Sequence, residues 1–272
     1  MTTATRAPYW TTDVSDVEAE DVYLRGYKLA DLIGRVPFSA ATYLLVRGRI
    51  PTPGEARVVD AMLCAILDYS LYKPGTVAAR YAVSANPSMQ VGMAVATMAV
   101  GEYTLAPDDA GQFIQESYAE YVASGEAMED FAKRFVADYT ANGRRVPGFG
   151  HPAFKYTDPR AQRLRQIAVE EGCWGEIGNW YEAVHRAFTQ LKSKPTIPIN
   201  DVGMLAAVMS VMGFTPPEMT GLALISSLPG VVAHVSEELQ SKTRIRIVPD
   251  EIAQYPRRRA DLDADLATAG WA

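Results

Sequence analysis

Apolar residues recur at intervals of three and four along much of the chain, which is the period of an amphipathic helix. The clearest run lies between residues 177 and 191, where Glu182, Arg186 and Gln190 form the opposite, polar face. Its apolar positions are Ile177, Trp180, Tyr181, Val184, Phe188 and Leu191. The pattern predicts one helix over this segment.

Start and stop signals divide the rest of the chain into further helices. Asp158 followed by Pro159 is typical of a helix N-terminus, and Gly172 is typical of a helix end. Thr215 and Glu218 have the spacing of a capping box and predict the start of another helix. Two further helices are predicted over residues 108–124 and 127–142. Since no segment alternates apolar and polar residues over the length of a strand, the predicted fold class is all-α.

The longest apolar stretch, residues 202–235, is interrupted by Pro216 and Pro217 and again by Pro229 and Gly230. Because proline breaks helices, no uninterrupted run reaches membrane length, and core helices are predicted instead of a membrane span. The opening residues, MTTATRAPYWTTD, lack the basic and apolar regions of a secretory signal. We therefore expect a cytoplasmic protein.

Composition narrows the classes of partner. Of the 272 residues 48 % are hydrophobic, and 26 basic against 32 acidic residues give a net charge of −6, which argues against general nucleic-acid binding. Cys64 and Cys173 lie far apart and in no CxxC pair, so two buried thiols and no metal site are predicted. A small-molecule ligand is the partner that this composition leaves open.

The segment richest in candidate chemistry is residues 143–160, which read GRRVPGFGHPAFKYTDPR. Gly148 and Gly150 would let a ligand approach the backbone, and His151 can transfer a proton near neutral pH. A loop histidine can equally be structural or simply exposed. The two glycines lack the third glycine and the preceding strand of a dinucleotide fingerprint, so a nicotinamide or flavin site is not predicted.

The complete string resembles the signature of the citrate synthase and citryl-CoA lyase family. Further segments of the chain are similar to parts of that family, namely LRGYKLADLIG, FSAATYLLVRGRIPTPGEA, PINDVG and SLPGVVAHVSEE. The resemblance implies a citrate synthase-like fold with a large helical domain, 1–105 and 203–272, and a smaller inserted helical domain, 106–202, that carries the GFGH loop. It also implies a homodimer with the active site in the cleft between the domains.

The resemblance assigns roles to the residues of the loop. A coenzyme A thioester is the implied co-substrate, and Lys155 falls where a basic residue meets the phosphates of the cofactor. His151 matches a histidine that hydrogen-bonds the electrophilic carbonyl, and Arg160 matches an arginine that binds a substrate carboxylate. The implied coenzyme A loop consists of Val146, Pro147, Gly148, Phe149 and Gly150. The alternative for Arg160 is a salt bridge on the helix surface.

Two positions of the family's catalytic pattern are altered. Where the family has a histidine that polarises the thioester carbonyl, this chain has Thr104, with the hydroxyl of Tyr103 beside it, and either could donate to an oxyanion. The catalytic base of the family stands in PxNxDG, but here Asp201 comes one position earlier, after Asn200. Asp201 is the candidate base, with a helix cap as its alternative, and Asn200 is a candidate substrate-binding residue.

Two substrate contacts of the family are also substituted. Ser227 stands in place of an arginine and Tyr69 in place of a histidine, and both are candidate substrate-binding positions. Losing an arginine removes an anchor for a carboxylate, so a substrate with fewer carboxylates than citrate is expected. Arg244 and Arg246 either match a segment that reaches the partner's site or form surface salt bridges.

These residues predict an enzyme that makes or breaks a carbon–carbon bond α to a carbonyl, by Claisen or aldol-type chemistry, on an acyl-CoA. One alternative is a family member that acts on another substrate in specialised metabolism or degradation, without coenzyme A. The other is a non-catalytic acyl-CoA-binding protein, because a fold does not guarantee an activity.

Overall fold

The computed structural model describes residues 9–257 and 259–271, so that the first eight residues, Arg258 and Ala272 lie outside the description. Helices make up nearly all of its regular structure. In the first half these are α1 (Leu29–Leu32), α2 (Phe38–Arg47), α3 (Pro53–Ala65), α4 (Pro74–Ala85), α5 (Met89–Met98) and α6 (Asp108–Ser124). The second half has α7 (Met128–Ala141), α8 (Pro159–Glu170), α9 (Glu176–Leu191), α10 (Asp201–Val211), α11 (Pro216–Ser241) and α12 (Leu262–Ala269). The all-α prediction is confirmed.

Local signals set the ends of these helices as expected. The carboxylate of Asp158 accepts the backbone N–H of Arg160 at 3.0 Å and caps α8. The left-handed Gly125, with φ of 66°, ends α6 at the predicted position. At the start of α11 the backbone N–H of Thr215 donates to Glu218 at 2.8 Å. The four predicted segments and the capping-box helix are therefore present, with ends shifted by one or two residues at most.

A small antiparallel sheet near the N-terminus contradicts the expectation of no strands. Its strands are β1 (Ser15–Val17), β2 (Val22–Leu24) and β3 (Tyr27–Lys28), in the order β1-β2-β3. Arg25 and Gly26 both have positive φ and form a two-residue hairpin turn between β2 and β3. Strands of two or three residues are too short to show alternation, and Arg-Gly is not a usual turn pair, so no local pattern predicts this sheet.

Helix α10 lies at the centre of the fold. It is apolar on all sides, and most of its residues are buried against α6, α8, α9 and α11. Beside it the fully buried Trp180 stacks on Tyr121 at 5.2 Å and donates its indole N–H to Ser117 at 2.9 Å. Helix α10 begins at the predicted domain boundary and packs on helices of both predicted domains, so its contacts do not divide the chain into two units. The two-domain division stays a prediction.

Helix α11 corrects the expectation that Pro229 and Gly230 interrupt the apolar stretch. The helix runs from Pro216 to Ser241 straight through this pair, and it is long and apolar enough to cross a membrane by length and composition alone. It packs, however, on α3, α4, α5, α6 and α10, as a core helix does. A Cβ on Gly230 would lie 2.3 Å from the carbonyl oxygen of Leu67, so this glycine admits the turn that follows α3.

Near its end α11 carries a buried acid between two arginines. The side chain of Glu238 is 0 % exposed and accepts hydrogen bonds from Arg246 at 2.7 and 2.8 Å and from Arg80 at 2.9 Å. The bonds from Arg246 lower the pKa of Glu238 the most, burial opposes them, and Arg80 adds to the lowering. Arg246 thus pairs with a carboxylate of its own chain. That carboxylate is buried, whereas the alternative given above for Arg246 was a salt bridge at the surface.

We expect Glu238→Gln to destabilise the protein by about 2 kcal/mol, because Arg246 loses its carboxylate partner and Arg80 keeps only its pair with the exposed Glu237. A lowered folded-state pKa contributes stability above the pKa of the unfolded chain and loses it as the pH falls. The difference between variant and wild type in urea unfolding should therefore shrink from pH 7 towards pH 3. The exposed neighbour Glu237→Gln is the control, and an equal loss in both variants would contradict the assignment.

Candidate active site

The loop that carries the glycines is paired with the segment before α10. The N–H of Gly150 donates to the carbonyl of Pro198 at 2.8 Å, and the N–H of Asn200 donates to the carbonyl of Gly148 at 2.9 Å. The side-chain amide of Asn200 donates to the carbonyl of Gly150 and accepts from the N–H of Gly203, both at 2.9 Å. The motifs VPGFGH and PINDVG, 50 residues apart, therefore form one unit, and Asn200 holds it together.

Gly148 is required by close packing within the protein itself. A Cβ on Gly148 would lie 2.2 Å from the hydroxyl oxygen of Tyr181 and 2.5 Å from the Cα of Gly203. That hydroxyl donates to the carbonyl of Pro147 at 2.8 Å, and burial raises the pKa of Tyr181. The expected close approach is thus made by Tyr181 and Gly203. Gly150 is less crowded, and its φ of 88° is what favours glycine there.

A guanidinium group between two carboxylates lies beside this unit. Arg160 donates to Asp158 through Nε at 3.0 Å and Nη2 at 2.7 Å, and its Nη1 lies 2.8 Å from a carboxylate oxygen of Asp201. The side chain of Asp158 is 0 % exposed. From the sequence Asp158 was only a helix cap, but it also fixes the orientation of Arg160.

Asp201 has the electrostatic environment of a general base. Burial raises the pKa of its carboxyl, and the charge of Asp158 raises it further, while Arg160 opposes both. A carboxylate with a raised pKa accepts a proton more readily at neutral pH than an exposed one does. Asp201 also begins α10, but the cap is provided by Asn200, so the alternative role as a helix cap is wrong.

His151 faces the same cluster. Its Nδ1 accepts the backbone N–H groups of Ala153 and Phe154, both at 3.1 Å, which leaves the hydrogen of the neutral ring on Nε2. Nε2 lies 3.2 Å from Nη2 of Arg160. Since two N–H groups cannot satisfy each other, an oxygen atom of a ligand is the natural partner for both.

Aromatic rings fix the imidazole. The ring of His151 stacks on Phe154, with centroids 4.5 Å apart, and meets the edge of Tyr69 at 5.6 Å. The guanidinium of Arg160 lies 5.2 Å from the Tyr69 ring centroid. Tyr69, where the resemblance has a histidine, therefore positions His151 and Arg160 through its ring.

A cavity of about 1050 Å³ opens onto the cluster. Most of the candidate residues line it, namely Tyr69, Tyr103, Thr104, Val146, Pro147, Gly148, Phe149, Gly150, His151, Arg160, Asn200 and Asp201. Tyr103 is 86 % exposed, so Thr104 is the better sheltered of the two hydroxyl donors. Arg144 and Arg145 also contribute to the wall and were not among the candidates.

Two candidates lie elsewhere. Ser227 is buried within α11 and donates to the carbonyl of Leu224 at 3.1 Å, and it does not line the cavity. Lys155 is exposed outside the cavity wall, with its ammonium 3.4 Å from the carbonyl oxygen of His151. Of the two cysteines, Cys173 is buried as predicted and Cys64 is exposed, contrary to the prediction.

His151, Asp158 and Asp201 are of metal-binding type and offer atoms within 4.8 Å of one another. The guanidinium of Arg160 lies between the two carboxylates, within 2.8 Å of each. It supplies the positive charge that the two acids require. That the site holds no metal stays a prediction.

Comparison with known proteins identifies the family. The sequence model described as "Citrate synthase, C-terminal domain" matches residues 51–248, well over half of the chain. The chain belongs to the citrate synthase family. Among solved structures, this family member is similar to citryl-CoA lyase from Hydrogenobacter thermophilus, with a TM-score of 0.84, 33 % identity, and coverage of 95 % of this chain and 100 % of that one.

More distant members share the fold. ATP citrate lyase from Methanothrix soehngenii, solved with citrate and coenzyme A, has a TM-score of 0.79 at 20 % identity over 94 % of this chain and 43 % of that one. Citrate synthase 2 from Bacillus subtilis is 25 % identical over 74 % of this chain and 52 % of its own. This citrate synthase family member spans about half the length of the curated relatives that it matches.

Proposed function

We propose that the protein is an enzyme that makes or breaks a carbon–carbon bond α to the thioester carbonyl of an acyl-CoA, in the manner of a citryl-CoA lyase. The observation that carries the proposal is the meeting of His151, Arg160 and Asp201 at one cavity. A base of raised pKa, N–H donors for the oxygen of the electrophilic carbonyl, and a positive charge for a substrate carboxylate are the parts that this chemistry needs. Asp158 and Asp201 already occupy Nε–H and one N–H of each terminal nitrogen of Arg160, so a ligand meets the two N–H bonds that remain. Similarity to citryl-CoA lyase over the whole length of that chain supports the proposal.

The geometry gives each residue a task. In the direction of synthesis, Asp201 removes the α-proton of the thioester, and the enolate carbon attacks a carbonyl carbon of the second substrate. His151 Nε2–H and Arg160 hold the oxygen of that carbonyl as it gains charge, and the Thr104 hydroxyl donates to the enolate oxygen. The alkoxide formed in this way then takes up a proton from solvent. In the cleavage direction the hydroxyl group loses its proton to solvent, the same carbon–carbon bond breaks as the carbonyl re-forms, and Asp201 in its protonated form gives its proton to the α-carbon of the enolate.

Coenzyme A is the proposed carrier of the acyl group. The loop 146–150 lines the cavity, and Arg144 and Arg145 at its rim place two positive charges where phosphates can be met. Lys155 lies outside the wall, so we expect these two arginines to contribute more to phosphate binding than Lys155 does.

The test is calorimetric titration with coenzyme A and with acetyl-CoA at physiological salt. We expect saturable binding that weakens at least tenfold in Arg144→Ala/Arg145→Ala, because two charge-assisted contacts are lost. Arg163→Ala, an exposed arginine on α8 outside the cavity, is the control. If the wild-type protein bound neither coenzyme A nor acetyl-CoA, the result would favour a family member that acts on another substrate without coenzyme A. Binding without turnover over a panel of acyl-CoAs would favour the non-catalytic alternative.

We also propose a cytoplasmic homodimer that does not act on nucleic acid or membranes. The dimer is supported by large apolar side chains that remain exposed near the C-terminus, including Ile245, Ile247, Ile252, Tyr255 and Trp271. Exposed groups of this kind mark surfaces that another chain covers. Light scattering after gel filtration tests the dimer, and a monomer at micromolar concentration would overturn it.

A further inference from the structure

The turn between α3 and α4 forms one wall of the active-site cavity and ends in a buried lysine. Asp68, Tyr69, Tyr72 and Lys73 all line the cavity from this turn. Lys73 is only 8 % exposed, although it carries an ammonium group. Within the described part of the chain that ammonium has no hydrogen bond and no carboxylate within 4.0 Å. The nitrogen itself is not sealed from solvent, so an anion in the cavity can reach it and offset the cost of the partly buried charge.

The surroundings of Lys73 add to the positive potential. Lys73 is the residue before α4, whose 12 residues direct the positive end of their dipole towards it. No side chain caps that helix end. The neighbouring acid is Asp68, and its carboxylate already accepts from His234 at 3.1 Å and from the N–H of Ser70 at 2.9 Å. Asp68 is thus already hydrogen-bonded to other groups, and the ammonium of Lys73 on this wall of the cavity is not paired with a carboxylate of the described residues.

The lowered pKa of Lys73 is what we expect of an ammonium group that has no carboxylate bonded to it. Burial lowers the pKa of the ammonium, and the charge of Asp68 opposes this only in part. An anion placed against Lys73 would raise that pKa again. Binding of the anion should therefore be accompanied by uptake of protons wherever the free ammonium is partly deprotonated.

We propose that Lys73, assisted by the N-terminus of α4, binds a second carboxylate of the substrate, apart from the one at Arg160. The ring of Tyr69 contacts both His151 and Tyr72, with centroids 5.6 and 5.8 Å away, so Tyr69 links the wall that carries Lys73 to the cluster around Arg160. Ser227, where the resemblance has an arginine, lies outside the cavity. Lys73 supplies the missing positive charge from a different helix, and the substrate carries at least two anionic groups, in contrast to the expectation from the sequence.

This subsite rests on the proposed function but is tested separately from it. Wild type, Lys73→Met, Lys73→Arg and the exposed control Lys192→Met are titrated with citrate, tricarballylate and pyruvate, and in a parallel series with coenzyme A. We expect Lys73→Met to weaken citrate and tricarballylate binding at least tenfold. Lys73→Arg should restore most of it, and pyruvate and coenzyme A should bind all four proteins alike.

Two further measurements separate binding from a structural role. Titration of citrate in two buffers of different ionisation enthalpy should show proton uptake by wild type that Lys73→Met lacks. Lys73→Met should also unfold at a higher temperature than wild type, because it no longer buries an unpaired charge. Citrate affinity unchanged in Lys73→Met, or a wild type that binds neither polycarboxylate, would overturn the subsite. Failure of coenzyme A to bind wild type would count against the proposed function instead.

Discussion

Asp201→Asn is expected to lower turnover of the acyl-CoA substrate by about 10³-fold while leaving its binding within about threefold of wild type. The amide keeps the size of the side chain but cannot accept the α-proton. The same change should make the protein more stable at pH 7. Because burial raises the pKa of Asp201 in the folded state, folding favours the protonated form, and the loss of stability grows as the pH rises from the ordinary aspartate value to that raised pKa and is constant above it.

The stability difference therefore has a defined dependence on pH. It should be largest near pH 7 and vanish as the pH falls below the ordinary aspartate value of 3.8, where Asp201 is neutral in both states. Thermal unfolding over this range, with the exposed Asp60→Asn as control, measures it. Full activity in Asp201→Asn would remove Asp201 as the base, and a variant less stable than wild type at pH 7 would contradict the electrostatic account.

Arg160→Ala should destabilise the protein by about 3–5 kcal/mol, because it leaves two neighbouring carboxylates without a positive partner. Asp158 is fully buried and cannot turn to solvent. Arg160→Lys keeps the positive charge, but its single ammonium nitrogen cannot reproduce the contacts that Nε, Nη1 and Nη2 make with the two acids. We therefore expect this variant to lose carboxylate binding while it retains most of the stability. Urea unfolding and citrate titration of both variants separate the two effects.

Arg163→Ala on the same helix serves as the matched control. Its side chain is 56 % exposed, and its distance of 3.8 Å from Glu170 is long for an ion pair. Removing it should therefore lower the free energy of unfolding by less than about 1 kcal/mol. The deficit of Arg160→Ala should diminish towards pH 4 as Asp201, whose pKa is raised, takes up a proton. A deficit that stays constant with pH would mean that packing, not charge, accounts for the effect.

The helices could be predicted because their signals are local. Asp158, Thr215 and the glycines after α6 and α7 act through the backbone groups next to them, so the sequence alone contains the information. The small sheet depends on a turn at Arg25 that only the tertiary structure stabilises, where the arginine donates to the carbonyl of Leu45. Pro229 likewise continues its helix because the surrounding helices hold α11 together.

The candidate site could be predicted only where a motif named it. His151, Arg160 and Asp201 were selected from short strings, and the structure brings them together. Burial cannot be read from such strings, so the sequence predicts only a helix cap at Asp158 and no role for Lys73. The resemblance placed Ser227 at the substrate, yet that part of α11 faces the core.

The contact of Gly148 with Gly203 limits how the protein can be redesigned. Each glycine lacks a side chain because the other backbone and the Tyr181 hydroxyl fill the space, and Asp201, the proposed base, is two residues from Gly203. A loop transplanted from a relative to change specificity would therefore displace the base unless residues 198–203 and Tyr181 were exchanged with it. For protein engineering, these three segments form a single cassette.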